Sequence, residues 1–184
     1  MKKLFENFHG DNFSLVELSL NHLDDMFEYS SNDRLYEHFE FPPQKNYQKT
    51  KEYLENLIKR SSKEDANWWF IQSKENLKVI GSFGMHDIDL RKGCCEISYA
   101  ISPDYWGSGA FVDVLNASLL RLFNEFNFHR ITAVTSSKNF RSINALKKVG
   151  FKEEGVFRDF YLDYKGQRVD ATSLALLSNS FIYK

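Results

Sequence analysis

Along FSLVELSL, Phe13 to Leu20, apolar and polar residues alternate with the period of two that puts every second side chain on one face of a strand. The period then lengthens. Ser19 stands as a cap ahead of a helix running through about Tyr29, in which Leu23, Met26 and Phe27 form an apolar stripe. Phe39 to Asn46 reads as a loop stiffened by Pro42 and Pro43. Tyr47 to Arg60 reads as an amphipathic helix with Tyr53, Leu54, Leu57 and Ile58 inward. Strands are expected over Asn67 to Gln72, Lys78 to Asp89 and Cys94 to Ile101, and the short turns SKEN and LRKG between them predict an antiparallel meander. A long apolar-periodic helix follows Gly109, then a strand from Arg130 to Ser136 and a helix ending at Gly150, a residue suited to a left-handed C-cap. Two strands joined at Tyr164 to Gln167 close the chain. This order predicts an α+β fold around a single mixed sheet, and with no repeat, low-complexity tract or flexible linker, residues 1–184 read as one domain.

Composition narrows the function classes. Lys and Arg number 24 against 25 Asp and Glu, for a net charge of -1, which gives no support for nucleic acid or an anionic membrane as the main partner. The two cysteines, Cys94 and Cys95, are neighbours; in a strand they point to opposite faces, so they are expected as free thiols in a reducing compartment. The N-terminus MKKLFENFHGDNF lacks the apolar run of a signal peptide, and no window has the length of a membrane span, so a cytoplasmic location is expected. No CxxC or HExxH spacing occurs, and no metal site is expected.

The stretch SPDYWGSGAFVDVL carries the most information. A helix that opens on Gly107-Ser108-Gly109 exposes unpaired backbone N–H groups and the positive end of its dipole, and glycines let an anion approach the backbone. A plain tight turn after Pro103 is the competing reading. The order EISYAISPDYWGSGAFVDVL … FHRITAVTSSKNFRSINALKKVGFKEEGVFRD resembles the GNAT superfamily of N-acetyltransferases, and within it the branch of the ribosomal-protein N-terminal acetyltransferases. That resemblance implies a mostly antiparallel sheet flanked by helices and acetyl-CoA as cosubstrate. It implies that Trp106 to Phe111 (Trp106, Gly107, Ser108, Gly109, Ala110, Phe111) hold the pyrophosphate. Two positions depart from the family pattern: Trp106 stands where Gln or Arg is usual, and Phe111 where Gly or Ala is. A Phe N–H still donates, provided its side chain turns away from the phosphates. The strand before the loop, Ile97, Ser98, Tyr99, Ala100 and Ile101, would bond the pantetheine arm as an added strand.

The chemistry requires a neutral amine, a stabilised oxyanion and a route for the departing thiolate. Glu96 lies on the face shared by Ser98 and Ala100. Its position alone suits a base or an ordinary salt bridge equally, and the resemblance implies the base, since related enzymes carry an acidic residue on this strand. By resemblance Asn139 would bind the pantetheine and Ser142 would donate to the sulfur, with Tyr161 and Tyr164 as rival donors; both Asn139 and Ser142 also suit a helix start. His86, Phe41 and Tyr161 are candidates for the acceptor side, whereas Trp68, Trp69 and Phe70 read as core and sheet surface. The expected activity is acetyl transfer to a primary amine, either a protein N-terminus or a small molecule such as an amino sugar or polyamine. A non-catalytic acyl-CoA-binding domain of the same fold is the alternative, and homodimer formation stays open.

Overall fold

A computed structural model describes residues 6–61 and 65–182; Lys2 and Lys3 of the N-terminal stretch lie outside them. Its strands are β1 (Phe8–His9), β2 (Phe13–Glu17), β3 (Asn67–Ser73), β4 (Val79–Asp89), β5 (Cys94–Ile101), β6 (Arg130–Ser136), β7 (Lys152–Leu162) and β8 (Arg168–Leu177). Its helices are α1 (Leu23–Ser30), α2 (Tyr47–Ser61), α3 (Ala110–Asn124) and α4 (Phe140–Val149). One sheet holds all eight strands in the order β1-β2-β3-β4-β5-β6-β8-β7. Every pairing is antiparallel except β5 with β6. The α+β reading with a mixed, mostly antiparallel sheet therefore holds.

The period-two alternation sorts side chains between two cores. Along β3, Trp69 and Ile71 join a cluster with Phe83, Ile97, Leu115, Leu119 of α3 and Leu146 of α4. Between them Phe70 points the other way, to Met26 and Tyr29 of α1 and Leu54 and Leu57 of α2. Helices α3 and α4 thus cover one face and α1 and α2 the other. Cys95 is buried and Cys94 is not, as opposite-facing neighbours require, and both thiols are free. Among the described residues no helix is long and apolar enough to cross a membrane.

Three local expectations need correction. The first strand stops at Glu17, because Leu18 turns into the α1/α2 core; Ser19 caps a 3-10 turn, Leu20–His22, and α1 begins only at Leu23. The two-residue strand β1 has no counterpart in the sequence reading; Phe8 is buried there against Trp69, ring edge to face at 5.4 Å. On α2, Leu54 and Leu57 are inward as expected, but Tyr53 is exposed and Thr50 takes a buried position.

A long-range clamp fixes the start of α3. The Asp113 carboxylate accepts backbone N–H bonds from Asp11 (2.7 Å), Asn12 (2.8 Å) and Phe13 (2.9 Å), tying the β1–β2 turn to the helix's first turn. Gly10 makes this approach possible: a Cβ there would sit 2.5 Å from Asp113 Oδ1. At the far edge of the sheet β7 is exposed almost throughout, with Val156, Phe157, Phe160 and Leu162 on its surface.

Candidate active site

The parallel ladder between β5 and β6 is short. It pairs Cys94 with Arg130, Cys95 with Ile131 and Glu96 with Thr132, and stops. From Ile97 onward β5 keeps its partner β4, down to Ile101 opposite Gly81, while among the described residues its other edge has no strand beside it. Backbone N–H and C=O groups along a free edge are strong hydrogen-bonding groups ready for an extended ligand.

Beyond Ile101 the chain makes a 3-10 turn, Pro103–Tyr105, and the Trp106 indole N–H donates back to the Ile101 carbonyl at 2.9 Å. Gly107 and Gly109 follow with φ of +82° and +87°, a conformation that L side chains rarely adopt. A Cβ at either position would meet nothing within 4 Å, so these glycines border open space. The Gly109 side caps nothing; the first helical bond of α3 runs from Asp113 N–H to the Gly109 carbonyl at 2.9 Å, and Ala110 N–H reaches Ser108 Oγ at 3.2 Å. The amides of Phe111 and Val112 remain at the open end of the helix.

The Phe111 ring packs on β5 and borders the cavity beside the loop. It is buried and stacks on Tyr99, with centroids 3.8 Å apart and planes 28° apart. Tyr99 in turn shares a 2.7 Å hydrogen bond with Ser142 at the start of α4. Asn139 caps that helix, its Oδ1 accepting from Ser142 N–H at 3.2 Å.

These elements enclose a cavity of about 380 Å³ lined by Tyr99, Trp106, Gly107, Gly109, Asn139 and Ser142, among others. Its lining carries no carboxylate but includes Arg34, His38, Arg141 and Lys148. The Arg141 guanidinium lies 3.4 Å and that of Arg34 5.2 Å from the Trp106 ring centroid. Trp106, standing where the family pattern has a Gln or Arg, is thus flanked by cations from two other elements. Burial holds the His38 imidazole below its ordinary range; Glu37 opposes this and the charges of Arg141 and Lys138 add to it.

A second cavity, of about 680 Å³, lies on the α1/α2 side and includes Phe41, Tyr53, Trp68, His86, Asp87 and Ser98. His86 Nδ1 is 2.9 Å from Asp87, and Arg60 lies 4.7 Å over the Trp68 ring. Trp68 therefore serves as a groove wall, unlike Trp69 and Phe70, which are core. The two cavities share Phe39, Tyr99 and Ala100, so they meet across β5.

Glu96 stands opposite His86 on β4 and is the last β5 residue paired with β6. Burial raises its carboxyl above the usual carboxylate range; His86 opposes that and Asp87 adds to it. Among the described residues it forms no ion pair of the ordinary surface kind. Of the other expected cofactor residues, Ile97 is buried beneath the sheet, Ser98 faces the second cavity, and Ser108 bonds the Tyr105 carbonyl at 2.7 Å. None of these three lines the first cavity, whereas Tyr99, Ala100 and Ile101 do.

Tyr161 is placed apart from Phe41 and His86. It lines a third cavity with His38 and Glu40, donates to the Val134 carbonyl at 3.3 Å, and its hydroxyl is pushed up to about 12 by burial and then by Glu96 and Glu40. Tyr164 is exposed at the hairpin tip. The basic residues Arg34, Arg141 and Lys148 and the groove residues Arg60 and Asp87 are not among the sequence's site candidates, since none belongs to a spaced motif, and Tyr53 reads there only as an inward helix position.

The sequence model of the acetyltransferase (GNAT) domain family matches residues 12–152. An N-acetyltransferase p20 of Bacillus licheniformis, itself uncharacterised, is 26% identical over 176 residues, covering 96% of this chain and 98% of that protein. The Escherichia coli ribosomal protein uS5-alanine N-acetyltransferase is 33% identical over 82 residues, 45% of this chain and 42% of its own. The microcin C7 self-immunity acetyltransferase MccE, solved in complex with acetyl-CoA and AMP, superposes with a TM-score of 0.81 at 18% identity, covering 91% of this chain and 93% of the other.

Proposed function

The chain belongs to the GNAT acetyltransferases, and from that premise we propose that it transfers the acetyl group of acetyl-CoA to a primary amine in the cytoplasm. One observation carries this reading: the cavity beside the glycine loop and the groove on the opposite face meet at Phe39 and at Tyr99 and Ala100 of the strand that also carries Glu96, which pairs with His86 of the groove. A donor lying along the open edge of β5 can thus reach an acceptor arriving from the other side.

The fit to the donor rests on three features. The open edge from Ile97 to Ile101 suits an extended amide-bearing arm. The amides at the start of α3, with Arg34, Arg141 and Lys148, suit its phosphates. Asn139 and Ser142 face the same cavity. Acetyl-CoA supplies the activated acyl group; the protein's part is to hold it, to take a proton from the amine and to steady the thiolate. Glu96, partly buried and raised in pKa, is the base in this reading, reached directly or through water. His86 and Phe41 line the acceptor's approach. The acceptor is a protein N-terminus or a small amine.

The alternative of a non-catalytic acyl-CoA-binding domain drew its support from Phe111 as an obstruction. That ring is buried and stacked on Tyr99 but also lines the first cavity, so the choice between the two readings falls to assay. The deciding experiment screens amines and N-terminal peptides for release of CoA thiol, with Gly109→Glu as control. Transfer by the wild type, and loss of acetyl-CoA binding by calorimetry in Gly109→Glu, are expected. Unchanged affinity in that variant refutes the loop assignment, and binding without transfer to any amine supports the non-catalytic alternative.

A further inference from the structure

Serine is a weak donor to a departing thiolate, and the fold does something about it. Ser142 Oγ lies 2.7 Å from the hydroxyl of Tyr99, a residue on the cofactor strand itself. Both hydroxyls belong to the wall of the first cavity, close to where it joins the second. The Tyr99 ring has little freedom: it is stacked at 3.8 Å on Phe111, which follows the glycine loop directly. The Ser142 amide is also held, by Asn139 Oδ1. Two clamps from separate elements therefore fix a contact between two hydroxyl groups beside the donor's path.

Resting on the acetyl-CoA reading above, we propose that Tyr99 is a positioning residue for the leaving group: its O–H donates to Ser142 Oγ and so directs the single Ser142 hydrogen into the cavity, toward the sulfur. A hydroxyl has one proton to give and two lone pairs to accept with. If Tyr99 fills one lone pair, the Ser142 proton is free to point elsewhere, and the bond it makes is strengthened by the one it accepts.

The chemistry limits Tyr99 to this role. When the amine attacks the thioester, the N–C bond forms, the C–S bond breaks with its electron pair going to sulfur, and the nitrogen loses a proton to Glu96. That proton balances the one the CoA thiol finally carries, so no second acid is required. Burial drives the Tyr99 hydroxyl far above its ordinary range, with only a partial offset from Ser142. An ordinary thiol ionises near about 8.5, so transfer of the Tyr99 proton to a thiolate is uphill by several powers of ten. Tyr99 keeps its proton and orients; Ser142 touches the sulfur.

The test separates this role from packing. CoA has a thiol and acetyl-CoA has none, so the ratio of their affinities, measured by calorimetry from about pH 6 to 9 around the thiol's ordinary value, reports the ionisation of the bound sulfur. A donor aimed at sulfur favours thiolate, so wild-type CoA affinity should rise with pH relative to acetyl-CoA. Tyr99→Phe keeps the ring and its stack on Phe111, yet should lose about five- to tenfold of that gain, as one neutral hydrogen bond implies. Ser142→Ala should lose at least as much, and the double variant no more than Ser142→Ala alone. With any amine the wild type acetylates, Tyr99→Phe should lower kcat and leave the acetyl-CoA KM within about twofold. A full pH-dependent gain in Tyr99→Phe, alongside its loss in Ser142→Ala, overturns the proposal, because Ser142 then acts unaided. Equal loss of CoA and acetyl-CoA affinity in a folded Tyr99→Phe also overturns it, in favour of packing alone. Failure of the wild type to bind either ligand is a distinct result, and removes the acetyl-CoA reading beneath it.

Discussion

Removing the Asp113 carboxylate is expected to loosen the molecule at the start of α3. Asp113→Ala leaves three backbone donors without an acceptor, at Asp11, Asn12 and Phe13. A hydrogen bond to a charged group contributes about 1.5–3 kcal/mol when it is shielded from water. Two of these three donors are exposed, and water replaces the carboxylate there at small cost; only the Phe13 amide is partly buried. Counting that bond in full and the others at a fraction gives about 2–3 kcal/mol, or about 4–12 °C in Tm for a chain of this size. Gly10 supplies an internal control. Gly10→Ala drives a methyl to 2.5 Å from the carboxylate and should destabilise the wild type, but should cost little in the Asp113→Ala background, where that oxygen is gone. Thermal melts and urea titrations of the two single variants and the double variant form the cycle. Additive losses, or an Asp113→Ala melt within about 1 °C of wild type, a shift that corresponds to well under 1 kcal/mol, refute the reasoning.

Phe111→Ala should lower stability by about 3 kcal/mol, because it empties a buried site and removes the stack on Tyr99; denaturant midpoints measure it, and an unchanged midpoint places the ring outside the core. Glu96→Gln should cut turnover by about 10²-fold or more, with the deficit shrinking at high pH where the amine is already neutral. Since the Glu96 carboxyl is raised, the wild-type rate should fall on acidification through a midpoint above about 4.3, the ordinary glutamate value, and the pH–rate profile locates it. Arg141→Ala should weaken acetyl-CoA binding by about tenfold, as loss of one charge-assisted phosphate contact implies, and flatten its salt dependence in calorimetry at two ionic strengths.

What the sequence made legible was local. Alternation located β3, β4, β5 and β6 to within a residue or so, and Gly150, with φ of +111°, marked the end of α4 as a C-cap glycine does. The glycine loop was legible for the same reason: backbone conformation is a property of the residue that adopts it. The boundary at Glu17 was not, because Leu18 leaves the strand to fill a core made by helices elsewhere in the chain. Tyr53 reads as one of four apolar positions on a stripe, and only the neighbouring groove explains why it faces outward. The Tyr99–Ser142 pair joins residues 43 positions apart, and Asp113 reaches back about a hundred. Such contacts have no period. Arg34 and Arg141 belong to no motif; their meaning lies in Trp106, which receives both.

The shortness of the β5–β6 ladder bears on how the protein breathes. Three paired residues are all that stitch the antiparallel half β1–β5 to the half β6–β8 along the sheet. Hydrogen bonds between strands help a sheet open as one cooperative block, so the seam is expected to let the two halves exchange their amides as separate units. A ligand laid along the open edge from Ile97 adds rungs where none exist and merges those units into one. On the proposed binding mode, deuterium uptake in β6 and β8 should then slow on adding acetyl-CoA even at amides the ligand never touches, as expected of a donor that serves as a structural element of the sheet while bound.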